Sequence, residues 1–552
     1  MFTARRVLLW TLGLSLLMVP FSIGQTEDQR PEYVLKADQL VAMEDGIKLA
    51  TDVYLPKEEG QFPCILIRTP YNKDGHKGDG ERFTKQGYAV VVQDTRGKLK
   101  SEGTFYPFRN DRADGLATVK WIRTQPWYGG KIGGWGGSYV GFTQWAIADE
   151  LDAMVPTVTC RDMYDVLYPS GLMSLATAIN WGLPVDSKTM NPIKPEKLMA
   201  AYRILPLSVA DDSTFKDNAF FDDWLAHTSR DEYWQAMTHA HPPKGAVLSV
   251  AGWFDIFLQA QISDFIALPK YLQHASRMIV GPWAHGKFAV EMDYTDKSKL
   301  KHANKLAEQV FAHALQGKSI TAIAEPYKEH RYNLFIMQRN DWYGCDEWPP
   351  ANTTTKKLYL AADSSLTFDQ PAKSGFGSYS YDPSDPYLSL GGTLLGVGVG
   401  QAWQNPNLSR KDQLSFSTPV LDQPLTLLGP LSANLFVQTD APATDFIVCL
   451  QDVFPDGRIL NIQEGGKSVS EKELKNKNQP AEILVDVWAT GYELPAGHKL
   501  RLVVTSSWFP RYNRNLNNGQ PLATASELRK AKQTLYWGGD FPSHVSLPVL
   551  GE

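Results

Sequence analysis

The octapeptide Gly134-Trp135-Gly136-Gly137-Ser138-Tyr139-Val140-Gly141 holds one serine in a run of glycines. It nearly matches G-x-S-x-G, the sharp strand-to-helix turn that presents a nucleophilic serine. Val140 stands where the second glycine belongs, and the glycine follows one residue later. Small neighbours let the backbone bend and leave Ser138 Oγ exposed. The N–H of Tyr139 would then point to where a negative oxygen could form. A plain glycine-rich turn has the same composition, so the octapeptide alone leaves both open.

Outward from it, the flanks read as a sheet rhythm. Residues 131–135 form a short strand after a turn at Gly129-Gly130, and 142–151 form a helix. Upstream, 64–67 and 88–92 are continuous apolar runs with a helix over about 81–86 between them. Residues 111–122 form a further helix. Buried strands alternating with helices predict a parallel sheet. The alternating stretch 34–54, broken at Asp45-Gly46, predicts antiparallel strands at its edge. The rhythm stops near Arg161, and 161–243 reads as a helical insertion. Strands resume at 245–251 and 277–280, followed by a helix at 304–316 and a strand at 332–338. Past Lys356 short alternating runs are separated by Gly, Pro, Asp and Asn, the pattern of a β-sandwich or jelly roll.

Bulk properties narrow the class. The chain has 552 residues, too many for one ordinary domain. With 43% hydrophobic and 21% charged residues it is globular in composition. A net charge of −5 carries no basic bias toward nucleic acid. Arg5 and Arg6 precede a mostly apolar run, 7–21, and small residues before Gln25. This predicts a signal peptide over 1–24, an exported protein (periplasmic or extracellular) and no membrane span after cleavage. Cys64, Cys160, Cys345 and Cys449 show no metal spacing. One or two disulfides and buried thiols both remain open.

A nucleophilic serine needs a base, and the base an orienting acid. Two segments supply them in the order serine, acid, histidine. Val250-Ala251-Gly252-Trp253-Phe254-Asp255 follows one predicted strand. Val280-Gly281-Pro282-Trp283-Ala284-His285-Gly286 follows the next. Ser138, Asp255 and His285 would all lie at one edge of the sheet. Separately, Asp255 could be a helix cap and His285 a locally satisfied loop residue. Together, in this order and each just after a strand, they point to a triad.

These motifs resemble the serine hydrolase family of cocaine esterase, α-amino-acid ester hydrolases, glutaryl-cephalosporanic acid acylases and X-Pro dipeptidyl-peptidases (CocE/NonD). Shared landmarks are Arg68-Thr69-Pro70-Tyr71, Asp94-Thr95-Arg96-Gly97, Trp121-Ile122-Arg123, Trp348-Pro349-Pro350 and Gly497-His498-Lys499-Leu500, besides the three site segments. The family's motif is G-x-S-Y-x-G, so Val140 occupies its free position. The resemblance implies an α/β hydrolase with an inserted helical cap and a C-terminal jelly-roll-like β domain. On this chain that means α/β segments over 25–160 and 244–352, a cap over 161–243 and a β domain over 353–552. It implies an oxyanion hole made by the Tyr71 hydroxyl and the Tyr139 N–H. The sequence has no HExxH, no cluster at metal-ligand spacing and no Gly-rich nucleotide fingerprint, so no cofactor or metal is expected.

The activity implied is cleavage of a small carboxylic ester or amide through an acyl-enzyme. X-Pro dipeptidyl-peptidase activity is the alternative enzyme, and a carbohydrate-binding or adhesion protein with an inactive hydrolase domain the alternative binding module. Amino-acid ester hydrolases grip the substrate's amine with carboxylates. Val140 and Gly141 cannot supply one here, whereas Asp162, Asp165 and Asp222-Asp223 in the cap are candidates. Asp211-Asp212 reads as a solvated turn. Asp94 and Arg96 are expected to hold loops near the site. Trp181, Phe220, Phe221 and Trp224 are divided between acyl pocket and cap core. A homo-oligomer stays open.

Overall fold

Ten strands build one mixed sheet in a computed structural model that describes residues 32–190, 193–292, 294–474 and 479–551. The predicted leader, 1–24, lies outside these residues. In chain order the strands are β1 (Tyr33–Ala42), β2 (Lys48–Pro56), β3 (Phe62–Thr69), β4 (Ala89–Asp94), β5 (Tyr128–Gly137), β6 (Ala153–Thr157), β7 (Ala246–Phe254) and β8 (Arg277–Ala284). After the short β9 (Gly286–Phe288), which lies outside this sheet, come β10 (Tyr332–Ile336) and β11 (Asp341–Cys345). The spatial order is β1-β2-β4-β3-β5-β6-β7-β8-β10-β11. From β4 to β10 neighbours run parallel, while β1, β2 and β11 pair antiparallel at the edges. β4 is buried along its whole length, which is why it opens with the apolar run Ala89-Val90-Val91-Val92.

Three local expectations change. Gly129 and Gly130 lie inside β5 rather than in a turn before it. The helix after Ser138 begins at once, as Tyr139–Trp145, and only a 3-10 turn, Ala148–Glu150, follows. β6 is an unpredicted central strand. It is five residues long and contains Pro156, which has no N–H for the ladder. Side-chain amides complete its bonding from two helices. Gln144 in Tyr139–Trp145 accepts from Val155 N at 3.0 Å and donates to Gly136 O at 3.0 Å. Gln261 in Leu258–Ile266 donates to Pro156 O at 3.1 Å.

Helix Lys301–Gln316 illustrates the packing. Ala303, Leu306, Ala307, Val310, Phe311 and Leu315 recur at helical spacing and are all buried. Each large member contributes about 1.5–3 kcal/mol of burial. Gly317, at φ 72°, ends the helix in the left-handed conformation that glycine adopts without strain.

Between β6 and β7 the chain leaves the sheet and forms short helices, among them Pro195–Ala201 and Ala219–Ala226. They share a second apolar cluster with Phe108, Phe142, Ile256 and Phe257, and so close over the sheet's carboxyl edge. The C-terminal part is all β. A seven-stranded sheet is built around Leu425–Thr439, and a four-stranded sheet contains Thr444–Val453 and Lys499–Thr505. Its core is continuous with that of the main sheet. β9 pairs in parallel with Gly396–Val399, which ties the segment after His285 to the β domain.

All four cysteines are free thiols, with Cys64, Cys160 and Cys449 buried, so of the two open alternatives the structure has thiols. Among the described residues no helix is long and apolar enough to cross a membrane.

Candidate active site

Ser138 sits between β5 and helix Tyr139–Trp145 at φ 56° and ψ −128°. That positive-φ conformation is costly for serine and forms the corner that exposes Oγ. The octapeptide's glycines are spatial requirements. A Cβ on Gly136 would lie 2.3 Å from Val140 Cγ1, and Gly136 itself has φ +133°. A Cβ on Gly141 would lie 2.4 Å from Thr159 Cγ2. The displaced glycine is therefore where the new helix presses against the segment after β6.

The three predicted groups meet. His285 Nε2 is 3.1 Å from Ser138 Oγ, and His285 Nδ1 is 2.8 Å from Asp255 Oδ2. Asp255 is fully buried. Its second oxygen, Oδ1, accepts from Phe257 N at 2.9 Å. With one oxygen on backbone and the other on imidazole, the carboxylate holds the ring in the orientation that leaves Nε2 for the serine.

The two predicted oxyanion donors also lie beside Ser138. Tyr139 is the first residue of its helix, so its N–H has no acceptor within the helix. Tyr139 OH donates to Asp111 Oδ2 at 2.6 Å and accepts from Phe108 N at 2.8 Å, which anchors the turn from below. Burial pushes the Asp111 carboxyl up to about 6, against the opposing pull of Arg68. Tyr71 follows the end of β3, and its side chain lines the same cavity as Ser138 and His285. Burial raises the Tyr71 phenol above its ordinary value, so it keeps its proton as a donor.

Asp94, at the end of β4, holds the Tyr71 loop by accepting from Lys73 N at 2.7 Å. Arg96 instead bridges Asp114 and Asp45, each at 2.6 Å. Burial pushes the Asp94 carboxyl from 3.8 up to about 7. The folded state then binds this proton more tightly than the unfolded chain. Its contribution to stability is complete below about pH 4 and is lost as pH rises through about 7. Asp94→Asn carries no charge at any pH. Its stability relative to wild type is expected to rise across that window, by at most about 1.4 kcal/mol per pH unit. Urea melts of both proteins at about pH 5 and about pH 8 test this. A pH-independent difference would rule it out.

A cavity of about 140 Å³ opens beside Ser138 and His285. Phe108, Phe142, Met163, Trp181, Ile256, Phe257 and Leu395 supply most of its wall. Among the described residues no Asp, Glu, Lys or Arg lines it. The cap acids weighed as amine ligands are engaged elsewhere. Asp162 and Asp165 both pair with Arg230. Asp223 accepts from Tyr106 OH at 2.5 Å. Asp222 lies with Asp211 and Asp217 away from the cavity, and Asp211 is buried rather than solvated. Of the four cap aromatics, Trp181 lines the cavity, whereas Phe220, Phe221 and Trp224 are cap core. Ile256 and Phe257, not among the expected site residues, line the cavity because they directly follow Asp255. Leu395 lines it too, and no local sequence signal marks it.

Comparison with known proteins fits this geometry. Residues 45–287 match the X-Pro dipeptidyl-peptidase (S15 family) domain, and 327–546 match the X-Pro dipeptidyl-peptidase C-terminal non-catalytic domain. Cocaine esterase of Rhodococcus sp. (strain MB1 Bresler) is 31% identical over 577 residues, spanning 94% of this chain and 99% of the relative. Two solved structures share the fold. An α-amino acid ester hydrolase has TM-score 0.82 at 22% identity, covering 96% of this chain and 98% of its own. An aminopeptidase from a marine sediment Thaumarchaeota archaeon has TM-score 0.79 at 22% identity, covering 97% and 99%.

Fold and site together define an α/β serine hydrolase. The chain belongs to the family that contains cocaine esterase and the S15 X-Pro dipeptidyl-peptidases. Leu395, in the cavity wall, lies within the region matched to the domain described as non-catalytic.

Proposed function

We propose that this protein is a carboxylesterase whose acyl group is uncharged and carries one aromatic ring. The observation that carries the proposal is the uncharged apolar cavity beside Ser138. An apolar cavity of about 150 Å³ accommodates benzene, and this one is about 140 Å³. An ammonium placed there would be buried without a partner, at a cost of several kcal/mol.

The chemistry follows from the distances. Ser138 Oγ attacks the ester carbonyl carbon as His285 Nε2 takes its proton. Asp255 holds the imidazole and balances the imidazolium charge. The carbonyl oxygen becomes an oxyanion between the Tyr139 N–H and the Tyr71 hydroxyl. Collapse of this intermediate breaks the bond to the leaving alcohol, which receives the proton from His285. Water then repeats the sequence on the acyl-serine, releasing the carboxylic acid and restoring Ser138.

Methyl phenylacetate and the methyl ester of phenylglycine differ by one amino group. The uncharged ester is expected to have a kcat/KM at least about tenfold higher. Equal or faster cleavage of the amino ester would overturn the acyl assignment in favour of amine recognition. Release of nitroaniline from glycyl-proline p-nitroanilide would favour the dipeptidyl-peptidase alternative.

A further inference from the structure

We infer that Trp181 is a positioning residue that sets the direction of the Tyr71 hydroxyl proton. The inference rests on the triad and oxyanion roles proposed above and adds a residue to them.

The cause begins in the cap helix. Residues Leu175–Thr177 and Leu183–Val185 are α-helical, but Ala178–Gly182 between them forms a wider π-helical turn. Pro184 has no N–H to give the Asn180 carbonyl four residues back, so the α ladder is interrupted here. Such turns re-aim side chains and recur at functional sites. Two side chains of this turn reach across the molecule. Asn180 Nδ2 donates to Leu395 O at 2.8 Å. Trp181 Nε1 donates to Tyr71 OH at 3.0 Å.

The chemistry of the second contact is directional. An indole N–H can only donate, so the Tyr71 oxygen must accept it. The phenol's single proton cannot point back at Trp181 and stays available on the Ser138 side, where the oxyanion forms. Accepting a hydrogen bond also polarises the O–H and makes it a better donor. The hydrogen bond from Trp181 opposes the upward push of burial on the phenol.

The indole is held in place for this task. Phe108 stacks on it at 5.5 Å with an interplanar angle of 24°, and Trp224 at 6.2 Å with 10°. Ring packing alone would be met by any aromatic residue. The N–H is what separates tryptophan from phenylalanine here.

A double-mutant cycle on kcat tests the inference, with methyl phenylacetate as substrate. Trp181→Phe keeps an aromatic ring in the stack and removes the donor. Its kcat is expected to fall about tenfold. In a Tyr71→Phe background the same change is expected to leave kcat within about twofold, because no hydroxyl remains to orient. KM changes from the altered cavity wall should appear in both backgrounds. Stoichiometric fluorophosphonate labelling of Ser138 in each variant establishes that the site is assembled. Losses that multiply, with about tenfold in each background, would overturn the inference and leave the esterase assignment standing. A correctly folded wild type that neither turns over esters nor labels at Ser138 would overturn both.

Discussion

Ser138→Ala is expected to lower kcat by about 10⁵–10⁶ while the protein folds normally. The magnitude follows from the relay. His285 Nε2 at 3.1 Å and Asp255 Oδ2 at 2.8 Å from Nδ1 act as a unit with the serine. Without Oγ the histidine has nothing to deprotonate. What remains is the rate supplied by binding and the oxyanion donors, about 10³–10⁴ over water. The fold should not suffer. Ser138 N donates to Thr157 O at 2.9 Å, and its carbonyl accepts from Phe142 N at 3.0 Å, so its backbone carries its structural bonds. A second variant sharpens the test. Ser138→Gly also lacks the nucleophile but relieves φ 56°. It is expected to be about 1 kcal/mol more stable than Ser138→Ala. Turnover near wild type in either variant would remove Ser138 from the mechanism. Equal stability of the two would show that the corner is not strained.

Tyr71→Phe is expected to lower kcat about 10²–10³-fold with a much smaller change in KM. The ring stays in place against the cap and only the hydroxyl is lost. Tyr71 lines the cavity beside Ser138, and its hydroxyl contributes only when the carbonyl oxygen becomes negative. The Tyr139 N–H remains as the second donor, so activity should be reduced rather than abolished. Steady-state kinetics on one ester, with labelling of Ser138 as a check on the relay, measure this. A rise in KM at unchanged kcat would mean that Tyr71 binds the ester in its ground state and is not an oxyanion donor.

Much of this site is legible along the chain because its parts are local. A serine in a glycine corner, an acid after one strand and a histidine after the next need only the strand ends to be recognised. Parallel strands then bring those ends to one edge. The shifted glycine is explained by the resemblance and given a physical reason by Thr159, which leaves Gly141 no room for a Cβ. β6 escaped because its bonding is completed by Gln144 and Gln261 from two helices, and no propensity of Ala153–Thr157 reports that.

The sequence by itself determined the class of fold, the order serine–acid–histidine and the Tyr139 N–H at the nucleophile turn, which depend on periodicity and on motifs a few residues long. The role of Tyr71 entered only through the family resemblance. Only the tertiary structure decided which cap aromatic reaches the cavity, that the cap acids pair with Arg230 and Tyr106 rather than line it, and that Leu395 of the β domain completes its wall. Trp181 meets Tyr71 across 110 residues of chain, and Asn180 meets Leu395 across 215. Such contacts depend on how cap, sheet and β domain dock. A one-dimensional pattern specifies which face of each element is apolar, but not which side chain arrives opposite it.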